Sequence, residues 1–413
     1  MNRLNRASRV VVIGGGPAGT FAAIAARKQD PAAHVALLTD ETCEPYEKPP
    51  LSKSVLLGRA NAADAPIAGP PGVAGHDVVL ERGARCAAID RAHRQVVLHD
   101  GRRLAYDALV LATGAVVRQI PELPVGMRGV HYLRDVSDAQ ALATAFRSTR
   151  QLLVVGGGLI GLEAAASAAE LGVGVTVLEV ASRVLARVCY EDIGELVHAA
   201  HIRRGVDIRL NATLRSAETR PDGAMAVCMT NGDMLRADTV LVGIGAIPDD
   251  RLASSAGLDT RDGVIVDEQC RTSDPAIFAA GDAARFPGPE GPVRLENWRH
   301  ALEQGTVAGR NAAGASEAYT AVPSFWSEQY DLYIQGVGWP VRHPALVRRP
   351  LPGNSALTFE IADGRIVYAL GINAQRDLAT VRRLIERRVP VDPAALANPA
   401  QPLAAMLKRQ PIL

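Results

Sequence analysis

The chain is poor in cysteine and has no close pair of them. Its five, Cys43, Cys86, Cys189, Cys228 and Cys270, are scattered over 413 residues with no C-x-x-C or C-x-x-x-x-C spacing. An odd, dispersed set points to a reducing compartment and excludes a redox-active disulfide made from neighbouring cysteines. Aromatics are scarce as well, at 4%, so each of the few tryptophans in a recognisable context carries weight. Charge of either sign is not in excess: a net of +1 argues against a nucleic-acid binder. No uninterrupted apolar run reaches the roughly 18 residues of a membrane span. Arg3, Arg6 and Arg9 ahead of an apolar stretch imitate an export signal, but that stretch runs into Gly14-Gly15-Gly16-Pro17-Ala18-Gly19, a turn that cleavage would destroy. A cytoplasmic protein is expected.

What is present is duplicated. Val10 to Ile13 followed by Gly14-x-Gly16-x-x-Gly19 recurs as Leu152 to Val155 followed by Gly156-x-Gly158-x-x-Gly161. Each copy continues into an Ala-rich helical stretch and then a second apolar run, Val35 to Leu38 and Val175 to Leu178. Strand, turn, helix and strand, twice, predict two parallel-sheet nucleotide-binding units. Val78 to Leu98 and Leu210 to Leu241 suit antiparallel insertions. From about Val322 the pattern changes to short β-like runs, Ala356 to Ile361 and Ile366 to Leu370, and one helix, Leu378 to Arg388. The domain division is therefore 1–117 with 246–321, then 118–245, then an α+β module over 322–413. Residues 331–413 hold 11 Lys/Arg against 6 Asp/Glu, a net of +5, which suits an acidic partner. The tail after Val391, with four further prolines, reads as a mobile surface extension.

One G-x-G-x-x-G alone is a weak signal; after a valine-rich strand and before a helix it becomes a dinucleotide fingerprint. The first glycine permits the turn, the second lets a pyrophosphate approach the backbone, and the third lets helix and strand pack closely. The helix N-terminus adds free N–H groups, and Pro17 near its start costs no useful donor. Leu159 and Ile160 open the second helix. An acidic residue at the end of the second strand would take ribose hydroxyls. In the second copy this is Glu179, which favours NADH over NADPH, with Arg183 close by in sequence; in the first, Asp40 and Glu41 compete and Asp40 is preferred. Thr272 to Asp282 is a strand ending in Gly281-Asp282, and Tyr106 to Gly114 is a second buried strand with a small-residue end.

These motifs, with Pro45-Tyr46-Glu47-Lys48-Pro49-Pro50-Leu51-Ser52-Lys53, Ala112-Thr113-Gly114, Ala280-Gly281-Asp282, Glu296-Asn297-Trp298 and Phe325-Trp326-Ser327, resemble the FAD-dependent NADH–ferredoxin reductases that serve Rieske-type dioxygenases and cytochromes P450. The resemblance spans roughly Val10 to Ile385. It implies an α/β fold, two Rossmann-like dinucleotide-binding domains arranged as in glutathione reductase, plus the small C-terminal α+β domain. Carried over by position, it places FAD on Gly14, Gly16, Pro17, Ala18, Gly19 and Asp40, with Ala112, Thr113, Gly114, Gly281 and Asp282 completing the site. Lys48 and Lys53 are implied near the flavin, Lys53 beside the isoalloxazine and paired with Glu163. Trp298 and Trp326 are implied against flavin and nicotinamide. NADH falls to Gly156, Gly158, Leu159, Ile160, Gly161, Glu179 and Gly245. Lys53, Glu163 and Trp326 form the catalytic set, and no metal is expected.

Some positions depart from the family pattern: Ser324 where an aromatic is common, Asp249 for Asn, Lys48 for Arg, and Thr39 for Gly. His198 and His201 fall three apart on a helix without a third metal ligand in view. Cys43 reads as a buried or inert thiol. With no neighbouring cysteines to take them, electrons leave the protein. The expected acceptor is an acidic iron–sulfur ferredoxin docking near the basic C-terminal domain, on a monomer or weak homodimer. The alternatives are another acceptor (rubredoxin, monodehydroascorbate, oxygen) or a redox-controlled scaffold flavoprotein.

Overall fold

The computed structural model describes residues 8–408; Arg3 and Arg6 lie outside the described residues. The chain forms two compact units. One gathers residues 1–49, 61–116 and 246–321, the other 50–60, 117–245 and 322–413.

The first unit is built on a five-stranded parallel sheet ordered Ile277–Ala279, Ala108–Leu111, Arg9–Ile13, His34–Leu38, Val79–Glu81. Val10 to Ile13 and Ala108 to Leu111 are buried at every position, as parallel strands covered on both faces require. The helix Pro17–Gln29 packs against Trp298–Ala312 through small residues. A Cβ on Gly305 would stand 2.1 Å from the Ala18 carbonyl oxygen, and one on Gly309 2.0 Å from that of Ala22. Only glycine permits that approach. Val79–Glu81, expected in an antiparallel insertion, is instead the parallel edge strand beside Ala36 to Leu38. The antiparallel meander begins only at Cys86–Asp90, after the Gly83 turn at φ +63°.

The second unit repeats the plan, with a parallel sheet ordered Asp207–Arg209, Gly174–Leu178, Gln151–Val155, Thr239–Val242, Val130–His131. The copies match in detail: Gly14 N–H donates to Leu38 O at 2.8 Å and Gly156 N–H to Leu178 O at 2.8 Å. Leu214–Thr219, Met225–Met229 and Met234–Ala237 form the antiparallel insertion. Thr239 to Leu241, assigned to it from the sequence, belong to the parallel sheet. The same unit carries a five-stranded antiparallel sheet ordered Ser324–Gln329, Leu332–Gly338, Arg365–Ile372, Ala356–Ala362, Ala345–Pro350, with the helix Gln375–Glu386 packed on it. One apolar core joins the two sheets, from Leu152, Leu162 and Val197 to Ile334, Tyr368 and Leu370.

The tail corrects an expectation. Residues after Val391 form the helix Pro393–Ala397 and the turn Leu403–Lys408, and Leu396, Leu403 and Met406 are buried. Pro393 stands in the first helical turn, where it needs no donor, and Asp392 caps Ala394 N–H at 3.0 Å. The buried Arg349 guanidinium donates to four carbonyls of the segment, those of Leu396, Asn398, Pro399 and Gln401. Proline content alone misread a docked segment as a free one.

By helix propensity, Gly305→Ala would gain about 1 kcal/mol. The contact with Ala18 O reverses the sign, and a loss of about 2 kcal/mol or more is expected. Thermal melting checks it; a raised midpoint would contradict this packing.

Candidate functional site

Two phosphate-binding turns are present, one in each unit. Gly14 sits at φ +114° and Gly156 at φ +112°. A Cβ on Gly14 would stand 2.1 Å from Ala112 O, and one on Gly156 2.5 Å from Gly243 O. Gly19 and Gly161 press on Gly14 O and Gly156 O in the same way, at 1.8 and 2.2 Å. Any side chain would push turn and strand apart. Both glycine helices start on a glycine with no side-chain cap and carry no acid in their first turn. Three other helices have a side-chain cap, Asp135 with a capping box, Asn297 accepting from His300 N–H at 2.9 Å and Asp392 from Ala394 N–H at 3.0 Å, while those beginning at Glu191, Arg251 and Gln375 have none. Bare N-terminal N–H groups over a cradle without Cβ atoms fit a dinucleotide pyrophosphate. Pro17 and Ala18 begin the first helix, Leu159 and Ile160 the second.

Around the first turn the unit assembles several of the named residues. Gly281, at φ +76°, lies against Ala18, where a Cβ would come within 2.7 Å of the Ala18 Cβ, and its N–H donates to Gln304 Oε1 at 2.8 Å. Asp282 follows it, half-buried. Ala112 to Gly114 end their strand at the turn, and Thr113 Oγ1 donates to Asp249 O at 2.6 Å. Lys48 reaches over the turn, its Cε 4.0 Å from where a Cβ would stand on Gly16. Its ammonium meets Glu41 Oε1 at 3.3 Å, while Tyr46 donates to Glu41 Oε2 at 2.6 Å. Glu41 is thus engaged and Asp40 is exposed. Trp298 is half-buried at the start of its helix; burial raises the pKa of the Glu47 carboxyl, against a smaller lowering by Trp298. Behind it His300 is buried, its Nδ1 2.8 Å from Tyr319 OH. Burial takes its pKa down to about 4, against the weaker pull of Asp282.

In the second unit Glu179 follows its strand and is fixed by two backbone donors, Gly157 N–H to Oε2 at 2.7 Å and Ala181 N–H to Oε1 at 2.8 Å. Arg183 is turned away from it, donating to Cys189 O at 2.8 Å and Ala186 O at 3.0 Å. A carboxylate held at the strand end, with the arginine four residues on in sequence occupied elsewhere, favours a diol over a phosphate. Gly245 holds φ +103° and accepts from Arg118 N–H at 2.9 Å.

The same unit brings Lys53 and Glu163 together although 110 residues separate them. Lys53 Nζ lies 3.0 Å from Glu163 Oε2. Glu163 is 3% exposed and takes two further donors, Ser52 Oγ and, at 2.6 Å, Ser327 Oγ. Ser167 Oγ donates to Ser52 O at 2.9 Å and so fixes Ser52, which directly precedes Lys53, on the helix Leu159–Glu170. A buried carboxylate with a cation and two hydroxyls is satisfied, not stranded. Trp326 is not part of this cluster: strand alternation puts it on the face opposite Ser327 and Gln329.

Sequence reading missed Gly243, Ser52, Ser167, Ser327 as a Glu163 partner, and Gln329, and it took His201 only with His198 as an incomplete metal pair. A second Gly-x-Gly after Val240 to Val242 announces Gly243, and period two from Ser327 reaches Gln329. Nothing local marks His201, which is fully buried with Nε2 3.0 Å from Gln329 Oε1, and burial lowers its pKa to about 4. Among the described residues no His/Cys/Asp/Glu cluster could hold a metal, and no helix is long and apolar enough to cross a membrane. All five cysteines are free. Burial, and then the charge of Glu41, raise the pKa of Cys43.

Residues 8–305 match the pyridine nucleotide-disulphide oxidoreductase model and 324–407 the reductase C-terminal model. The chain is 39% identical over 402 residues to the anthranilate 1,2-dioxygenase system ferredoxin–NAD(+) reductase component of Burkholderia cepacia, covering 96% of this chain and 98% of that one. It is 36% identical over 333 residues to a rubredoxin–NAD(+) reductase of Pseudomonas putida, covering 80% and 86%. Among solved structures, the covalent putidaredoxin reductase–putidaredoxin complex is similar with a TM-score of 0.92 and 34% identity, over 98% of this chain and 99% of that one.

His201 and His300 are neutral in the folded chain down to about pH 4, whereas unfolded histidine takes a proton below 6.5. Their stabilisation is complete above 6.5 and is lost as pH falls toward 4, on the order of 3 kcal/mol for each. Urea midpoints should drop between pH 7.5 and 5, and His300→Gln should flatten that dependence; an unchanged slope in the variant would contradict it.

Proposed function

This chain belongs to the pyridine nucleotide-disulphide oxidoreductases, in the group closed by a reductase C-terminal domain, and from that premise we propose that it is an NADH–ferredoxin reductase acting through FAD. The ferredoxin serves a Rieske-type oxygenase or a cytochrome P450. The observation that carries this reading is the pair of uncapped, Cβ-free glycine turns, one in each unit. Bound FAD supplies the exchange between a two-electron donor and a one-electron acceptor.

The protein's own groups bind, orient and charge the sites. Gly16, Ala18 and Gly19 present backbone N–H groups and helix dipole to the FAD pyrophosphate, while Gly14, whose own N–H is held by Leu38 O, and Pro17 shape the same turn. Lys48 adds a cation over that turn. Asp40 takes the ribose and Asp282 a ribitol hydroxyl, while Ala112, Thr113, Gly114 and Gly281 keep the backbone accessible. Gly156, Gly158 and Gly161, with Leu159, Ile160 and Gly245, form the corresponding seat for NADH, whose ribose diol goes to Glu179. Lys53, held by Glu163, is the cation that faces the isoalloxazine and offsets the negative charge of the reduced cofactor. Trp298 and Trp326 supply apolar cover for flavin and nicotinamide. The corresponding domains are 1–117 with 246–321 for FAD, 118–245 for NAD, and 322–413 for the α+β module.

No neighbouring cysteines can receive the electrons, so the acceptor is external. The net +5 of residues 331–413 supports an acidic ferredoxin steered toward that module by charge. A cytoplasmic monomer or weak homodimer completes the reading. A rubredoxin acceptor is the second reading, favoured by the likeness to a rubredoxin–NAD(+) reductase.

The purified protein should be yellow and should bleach anaerobically with NADH; a colourless protein that takes up no FAD would refute the assignment. Reduced enzyme titrated with a ferredoxin, a rubredoxin, monodehydroascorbate and oxygen separates the acceptors. The ferredoxin rate should fall as salt rises, and a flat response would remove charge steering. Glu179→Ala combined with Val180→Arg, an exposed neighbour, should move the NADPH/NADH ratio of kcat/KM at least tenfold, about 1.4 kcal/mol. An unmoved ratio would sink the ribose assignment.

A further inference from the structure

We propose that Ser327, Gln329, His201 and Tyr330 form a one-way hydrogen-bonded chain that positions the Glu163 carboxylate and, through it, the Lys53 ammonium. The inference rests on the reading that Lys53 faces the flavin. Ser327 Oγ lies 2.6 Å from Glu163 Oε1, Gln329 Nε2 3.1 Å from Ser327 Oγ, His201 Nε2 3.0 Å from Gln329 Oε1, and Tyr330 OH 3.3 Å from His201 Nδ1. All belong to one compact unit, and Ser327, Gln329 and His201 are at most 1% exposed.

The direction follows from one end. An ionised carboxylate only accepts, so Ser327 donates to it and must itself accept from the Gln329 amide N–H. That turns the amide oxygen toward His201, whose Nε2 therefore carries the proton, leaving Nδ1 to accept from Tyr330. Burial keeps the imidazole neutral above about pH 4, which preserves this single tautomer. Every donor points toward Glu163. A primary amide in the middle does not hand protons on, so the chain is no proton wire; its effect is orientation and polarisation.

The outer end is held as well. Tyr330 occupies the two-residue tip between Ser324–Gln329 and Leu332–Gly338 at φ +57°, a conformation bulky side chains avoid. The ring packs edge-on against His201 with centroids 4.9 Å apart, beneath the Arg204 guanidinium at 4.1 Å, and Arg204 pairs with Asp331 at 2.7 Å. A hairpin tip of asparagine and glycine would carry no such strain. Here the strain is tolerated while the phenol is kept on the histidine.

The test is the midpoint potential of FAD in the purified holoenzyme, read by spectroelectrochemistry beside the thermal midpoint. Ser327→Ala and Gln329→Leu should loosen Glu163 and spread Lys53 over more positions, making reduction of the bound flavin about tenfold less favourable, about 30 mV for a two-electron couple. Ser327→Thr keeps the hydroxyl and should restore the potential. Ile334→Val, a buried neighbour outside the chain, should lower the thermal midpoint and leave the potential alone. Lys53→Met should lower the potential at least as far. If Lys53→Met shifts it and neither chain variant does, or if Ile334→Val shifts it equally, the chain is overturned while the lysine reading stands. An unmoved potential in Lys53→Met overturns the lysine reading and the chain with it.

Discussion

A carbonyl oxygen pressed against a glycine Cα is the constraint on which the rest depends. It occurs twice, at Ala112 O on Gly14 and at Gly243 O on Gly156. In each unit it sets how closely the neighbouring parallel strand approaches the turn, and so where the helix N-terminus emerges. The bare N–H groups, the strand-end carboxylate and the small-residue strand end all take their places from that contact. A methyl group at either glycine would displace them together. The matching 2.8 Å bonds from Gly14 and Gly156 to Leu38 and Leu178 show one solution used twice.

The two copies diverge in what surrounds the turn. The first gains a second glycine-rich approach, where Gly305 and Gly309 let one helix lie on another and Gln304 orders the Gly281–Asp282 turn. The second instead fixes Glu179 with two amides and places the buried Glu163 on the next turn of its helix, beside a lysine delivered from residues 50–60. Burying a carboxylate costs several kcal/mol unless its lone pairs are met. Lys53, Ser52 and Ser327 meet them.

The double turn was legible because glycine spacing, valine runs and the strand-end acid are local properties of the chain. The pairing of Lys53 with Glu163 came from family likeness rather than from any pattern in the residues. The partnership of His201 with Gln329 was illegible, since it depends on packing a helix against a strand more than a hundred residues away. Val79–Glu81 was misassigned because weak alternation does not say which neighbour a short strand will choose. The tail was misread because the residue that captures it, Arg349, lies over forty residues upstream, and a carbonyl seeking a guanidinium leaves no mark in composition.

The chain passes between its two compact units five times, at residues 49–50, 60–61, 116–117, 245–246 and 321–322. A nascent chain leaving the ribosome therefore cannot finish one unit before starting the other. The parallel sheet of the first lacks its Ile277–Ala279 edge until the whole second glycine fold has emerged, and Ser327 reaches Glu163 later still. Separate expression of the units as contiguous fragments is ruled out by the same threading. The first unit can close only once residue 321 has emerged, and the second only after the segment that follows it.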